Sequence, residues 1–311
     1  MPRNPFQSSS VVRRFTRLAL ATLLSFTVWL ASSSIGCYAS SAYAASAYTS
    51  SVYTSSAYTF SAYLDYLDKA PAQLSRQDIK DISQLRQSAF DSTNAGQFDI
   101  AELQWSALIE KLPDEAAVWS NRGNVRVRRN KLDEALEDYS QAIALAPAEP
   151  DPYLNRGAVW EALGQWEKAI DDYNRVLQLN PDDPAAFNNR GNAEAGEGEW
   201  ELAIADYQAA ITLQPSFSLA YGNYALALYQ TGDTKQAIQI MKSLVRKYPS
   251  FVDMRAALTA ALWAQGQQGE AESNWVAVVG LDSRYKDLNW VRNVRRWPPK
   301  MVDALDKFLT L

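Results

Sequence analysis

Residues 150–183 read PDPYLNRGAVWEALGQWEKAIDDYNRVLQLNPDD. The 34 residues before them and the 34 after them follow the same plan: Tyr153, Arg156, Gly157, Ala169, Tyr173 and Pro181 answer to Trp119, Arg122, Gly123, Ala135, Tyr139 and Pro147 one block earlier. Working outward, prolines keep the step at Pro113, Pro147, Pro181, Pro215 and Pro249, and alanines at Ala101, Ala135, Ala169, Ala203, Ala237 and Ala271. The chain therefore divides without a gap into six blocks, 82–115, 116–149, 150–183, 184–217, 218–251 and 252–285. A fixed period of this length predicts stacked copies of one small unit, each too small to bury its own apolar face.

Within a block the positions have physical meanings. Position 8 is Gly123, Gly157, Gly191 or Ala225, and position 20 is the alanine series; side chains this small mark places where two helices approach closely. Position 15 is Gly96, Asn130, Gly164, Gly198, Gly232 or Gly266, the residue types that tolerate a left-handed turn between helices. The prolines end each second helix. The pattern of Trp119-x2-Arg122-Gly123, Ala135-x3-Tyr139 and Pro147, repeated in phase, resembles the tetratricopeptide repeat (TPR) over residues 82–285. The resemblance implies an all-α, right-handed superhelical solenoid of about six helix-turn-helix repeats, whose first helices line a concave groove. The Asn-Arg-Gly style, as in Asn155-Arg156-Gly157, is similar to TPR proteins of cyanobacteria and plastids.

Two registers stand out. Arg122, Arg156 and Arg190 occupy position 7 of three units, and Asp138, Asp172 and Asp206 occupy position 23 of the same three. The other units lack both. Ion pairing between helices, within a unit or between neighbours, is the expected reason. The second register is Asn121, Asn155, Asn189 and Asn223 at position 6. Such a ladder resembles the one with which some long TPR superhelices hold an extended peptide, each amide offering a donor and an acceptor; alternatively the amides bond neighbouring backbone and keep the helices in register. By family position, Asn124, Arg128, Glu161, Asn188, Asn192, Tyr229 and Trp263 are further groove candidates. Ser120, Ala185 and Asn189 stand where a chaperone-tail clamp would need lysines or arginines. The cluster Arg126, Arg128, Arg129 and Lys131 reads as a solvated loop, and Trp105, Trp119, Trp160, Trp166, Trp200 and Trp275 read as packing.

The ends differ from the array. Arg3, Arg13, Arg14 and Arg17 precede an apolar run from Leu18 to Leu30 and then Ala42-Tyr43-Ala44, the form of a signal peptide over 1–44. An uncleaved membrane anchor is the alternative, and Ser34-Ile35-Gly36-Cys37 resembles a lipoprotein box at the one cysteine. Export is expected, to a periplasm or thylakoid lumen. Residues 45–74 form a low-complexity tether, part of a tract with tyrosines at Tyr38, Tyr43, Tyr48, Tyr53, Tyr58 and Tyr63. Ser75 opens the first helix with a capping box. At the other end 286–311 is expected to be a C-terminal cap, with helical spacing of Met301, Val302, Leu305, Phe308 and Leu309. Its Arg284, Lys286, Arg292, Arg295, Arg296 and Lys300, beside Trp290 and Trp297, form a basic patch suited to an anionic membrane surface or acidic partner.

From Ala45 onward the chain holds 26 basic against 35 acidic residues, which argues against nucleic-acid binding. Histidine is absent, removing the commonest general base and metal ligand. There is no phosphate-cradling loop or serine elbow. The expectation is a non-enzymatic protein without cofactor or metal that binds protein or extended peptide, an adaptor for assembly or maintenance of an envelope or photosynthetic membrane complex. The alternative is a structural envelope protein acting through tether and cap.

Overall fold

The structure, a computed structural model, describes residues 75–310. The expected leader, tether and Cys37 lie outside the described residues. Among these there are fourteen α-helices and no strand. Twelve form six antiparallel pairs: α1 (Arg76–Asn94) with α2 (Phe98–Lys111), α3 (Ala116–Arg128) with α4 (Leu132–Leu145), α5 (Pro150–Ala162) with α6 (Trp166–Leu179), α7 (Pro184–Glu197) with α8 (Trp200–Leu213), α9 (Ser218–Thr231) with α10 (Thr234–Lys247), and α11 (Val252–Ala264) with α12 (Gln268–Leu281). A 3-10 turn (Ser283–Lys286), a short α13 (Leu288–Asn293) and α14 (Pro299–Leu309) follow.

Each device of the repeat has a visible cause. Ser75 caps α1, its hydroxyl accepting from Asp78 N while Asp78 accepts from Ser75 N. The position-15 residue has positive φ in every unit, from 58° at Asn130 to 107° at Gly232. Asn130 is the one side chain carried through this turn, and asparagine is the type best suited to it. All six position-20 alanines are fully buried. Position 8 faces the aromatic of its own second helix: a Cβ on Gly157 would stand 2.7 Å from the Tyr173 ring. Gly157→Ala should therefore push that ring aside and lower stability by about 1–3 kcal/mol, read in a urea titration. An unchanged midpoint would show that Tyr173 moves freely.

The first helices of successive units also touch one another, α3 with α5, α5 with α7 and α7 with α9, so they form the inner wall. The C-terminal segment differs from a cap that stacks as one more layer. It turns back and lays α14 along the inner side of α11 and α9. Met301, Val302 and Leu305 are buried there, and Phe308 meets Trp263 and Trp275 edge-on at 5.4 and 5.2 Å. The turn is pinned by Asp253, whose Oδ1 accepts from Tyr285 Oη (2.6 Å), Arg295 Nε (3.0 Å) and Trp297 Nε1 (3.0 Å). Burial of α14's apolar face, at about 1.5–3 kcal/mol for each large side chain, outweighs leaving both it and α11 in water.

Candidate functional site

Position 7 ties the stack together. Arg156 donates from Nε and Nη2 to Asp172 at 2.9 and 2.7 Å, and from Nη1 to Ser140 Oγ at 3.1 Å. Arg122 treats Asp138 and Ser106 in the same way, and Arg190 treats Asp206 and Asn174 so. The carboxylate is within the unit; the third partner, at position 25, is on the second helix of the unit before. The link persists where the arginine is lost: Gln208 Nε2 donates to Tyr224 Oη at 2.7 Å. Sequence reading missed position 25 because Ser, Ser, Asn and Gln share only a polar oxygen. It also missed Arg86, which pairs with Glu115, the last residue of the same block and the N-cap of α3, through two bonds of 2.8 and 2.7 Å.

Of the two readings of the asparagine ladder, the bonding of Asn121 and Asn189 follows the second, amides that bond their own surroundings, while Asn223 lines the inner cavity. Asn121, Asn155 and Asn189 are 7, 5 and 2 % exposed. Asn121 donates to Ala117 O of its own helix at 2.8 Å, and Asn189 accepts from Asn188 at 3.2 Å. Asn223 bonds out of its unit, Nδ2 donating to Asn188 and Asn192 of the unit before it, both at 3.0 Å. Other expected groove residues are also committed within the fold. Tyr139 and Tyr207 donate to Asn124 (2.7 Å) and Asn192 (3.0 Å). Trp263 packs on Phe308, and Tyr229 is buried. Arg128 is exposed at the end of α3. Instead of a solvated loop, Arg126, Arg129 and Lys131 converge on Glu102 of the preceding unit. Burial would raise that carboxyl, but hydrogen bonds from Lys131, Arg129 and Arg126 hold it below its ordinary value.

A cavity of about 500 Å³ lies open on the inner side where α5, α7 and α9 meet the tail. Asn192 and Asn223 are the two expected groove residues of the ladder region that line it; Trp166, Trp200 and Trp297 supply indole rings. Glu161, a further family-position candidate, also lines it. Burial, offset in part by Arg296 and a 3.1 Å bond from Tyr173 Oη, pushes its carboxyl up to about 7. Arg296 donates from Nη1 to Glu161 O and from Nη2 to Ala162 O, both 3.0 Å, and its guanidinium carbon lies 5.0 Å from the Trp166 ring centre. Of the C-terminal basic residues, Arg284 pairs with Asp282, Arg295 with Asp253, and Arg296 is spent here. Lys286, Arg292 and Lys300 stay exposed.

Two tetratricopeptide repeat family models match the chain, one over residues 123–186 and one over 94–150, 161–217 and 188–251. Together they run from 94 to 251, half of the sequence. The chain belongs to the tetratricopeptide repeat family. Among solved structures, this TPR protein is similar to the Cut9–Hcn1 hetero-tetramer of the APC/C, at 16 % identity over 88 % of this chain and 50 % of that one, with a TM-score of 0.61. It is also similar to YrrB, described as a TPR protein with an unusual peptide-binding site (18 % identity, 58 % and 92 % covered, TM-score 0.47), and to the thermophilic TPR protein TTC0263 of Thermus thermophilus (17 %, 58 % and 99 %, 0.49). At these identities the likeness speaks of fold. No curated protein matches the chain. The TPR fold accords with a protein-binding adaptor or scaffold.

Proposed function

We propose that this protein is an exported TPR adaptor that binds segments of other proteins on its inner wall, in assembly or maintenance of an envelope or photosynthetic membrane complex. The observation that carries the binding part is the inner cavity: concave, walled by indoles and amides, and left open by a tail that fills the wall beside it. Mixed apolar and hydrogen-bonding walls suit a polypeptide, which presents both. The export part rests on the basic and apolar leader ending at Ala44, with an uncleaved leader or lipidated Cys37 as the tether to a membrane. The plastid or cyanobacterial setting rests on the Asn-Arg-Gly repeat style alone. Contact with an anionic surface would fall to Lys286, Arg292 and Lys300. The rival structural role draws support from α14, which covers the inner wall of the last two units.

A photo-crosslinking residue in place of Arg292, at the cavity rim, tests the binding reading in the cells that produce the protein. Adducts with other polypeptides are expected there and not from the same residue at Lys235, on the exposed face of α10. Equal labelling at both positions, or none at either, would overturn it.

A further inference from the structure

The cavity wall has an asymmetry of charge. Its lining from the solenoid contributes two carboxylates, Glu161 and Glu197, and no cation; both cations, Arg292 and Arg296, come from the tail. The site that Arg296 occupies is made of acceptors suited to a planar cation. Two carbonyls at the end of α5 lie side by side, each 3.0 Å from one Nη of the guanidinium. They are also the negative end of that helix's dipole. The Glu161 carboxylate stands 4.0 Å away, 4 % exposed. The Trp166 ring lies 5.0 Å from the guanidinium carbon, in cation–π range. That ring rests on Gly196, where a Cβ would come within 2.7 Å of it. A guanidinium fills all of these roles with one group; an ammonium cannot bridge two carbonyls in its plane.

The occupant itself is held at a cost. Arg296 has φ of 53°, left-handed backbone that a long side chain rarely adopts. Such strain persists where its surroundings enforce it. Its neighbours are fixed independently, Arg295 and Trp297 by Asp253 and α14 by its apolar face, so the Arg296 side chain can leave without the tail leaving.

We propose that the end of α5, with Glu161 and Trp166, is a guanidinium-binding site held closed by the chain's own Arg296, and that a partner segment carrying an arginine binds there by taking its place. This rests on the adaptor reading and names the partner's chemistry. Self-occupancy weakens partner binding by the inverse of the fraction of molecules in which the site stands open, and a tethered side chain competes at an effective concentration on the order of millimolar.

Calorimetric titration of the full chain with acetyl-Gly-Arg-Gly-amide tests the proposal. Arg296→Gly, which suits the left-handed backbone, should bind the peptide at least about tenfold more tightly than the unaltered protein. Replacing the peptide's arginine by citrulline, uncharged and of like shape, should abolish binding, and adding Glu161→Gln should weaken it. If Arg296→Gly loses helical signal, Arg296→Gln takes its place. Equal affinity for variant and unaltered protein, equal affinity for the citrulline peptide, or no binding by any form would overturn the proposal. Adducts at position 292 together with no arginine dependence would leave the adaptor reading standing and remove this one; arginine-dependent binding without adducts would do the reverse.

Discussion

Arg156→Ala should destabilise the protein by about 3–5 kcal/mol, the cost of leaving a buried charge without its partner. Asp172 has a 6 % exposed side chain, and Arg156 is its one ion-pair partner among the described residues. Asp138 is better insured, because Arg126 reaches it at 2.8 Å in addition to Arg122, so Arg122→Ala should cost less. Asp172→Ala should also cost less than Arg156→Ala: the arginine left behind is 23 % exposed and lies over the Tyr153 ring, so it can turn to water. Burial lifts the Asp172 carboxyl above its ordinary value even with the guanidinium bonded to it. The pair is thus less a gain in stability than a charge kept satisfied. Without Arg156 the carboxyl should take up a proton on folding, so the loss should shrink as pH falls from 7 towards 4. Urea unfolding of both single variants and the double, at two pH values, measures this; a double variant equal to the sum of the singles would mean the two side chains do not couple. If neither single change moves the midpoint, the pairing contributes nothing to the fold.

The features that could be read before the structure are those that occur many times. Gly157 and Ala169 announce close helix contacts because four or six equivalents agree, and Asn130 is legible as a left-handed turn because glycines hold the same place elsewhere. The Arg and Asp registers were legible because they come and go together. The direction of Asn155 was not. Asn155 is 5 % exposed and Asn223 bonds to the unit before it, an outcome set by how the units stack and not by any residue type within the block. The path of the tail was less legible still, because 286–310 has no second copy and its route hangs on single contacts such as Asp253 with Trp297. One signal was present. Val252–Ala264 is apolar on almost every side, and a helix of that kind is covered on more than its repeat face. The cover is α14. The cavity followed from that path, so Trp166 read only as packing, and Arg296 read as surface charge.

Glu161→Gln should make the protein more stable, and only above acidic pH. The ordinary carboxyl value is 4.5, and burial pushes this one up to about 7. A carboxyl whose value rises on folding favours the protonated folded state: its burden is absent below pH 4.5, grows as pH climbs through the interval, and is complete above about 7. That rise corresponds to about 3 kcal/mol at pH 8. This is an upper bound, since the new amide needs an acceptor for its hydrogens; Tyr173 Oη can still donate to its oxygen. The measurement is thermal unfolding of variant and unaltered protein from pH 4 to pH 8, with curves that coincide at the acid end and separate by several degrees at the alkaline end. A separation that does not change with pH would place the effect in packing. Glu194, likewise pushed up to about 7 by burial and then by Asp206, contributes its own loss over the same range. Comparing Glu161→Gln with its parent at each pH cancels that contribution. Under the guanidinium-site proposal the same variant, more stable in itself, should be the poorer host for a guanidinium.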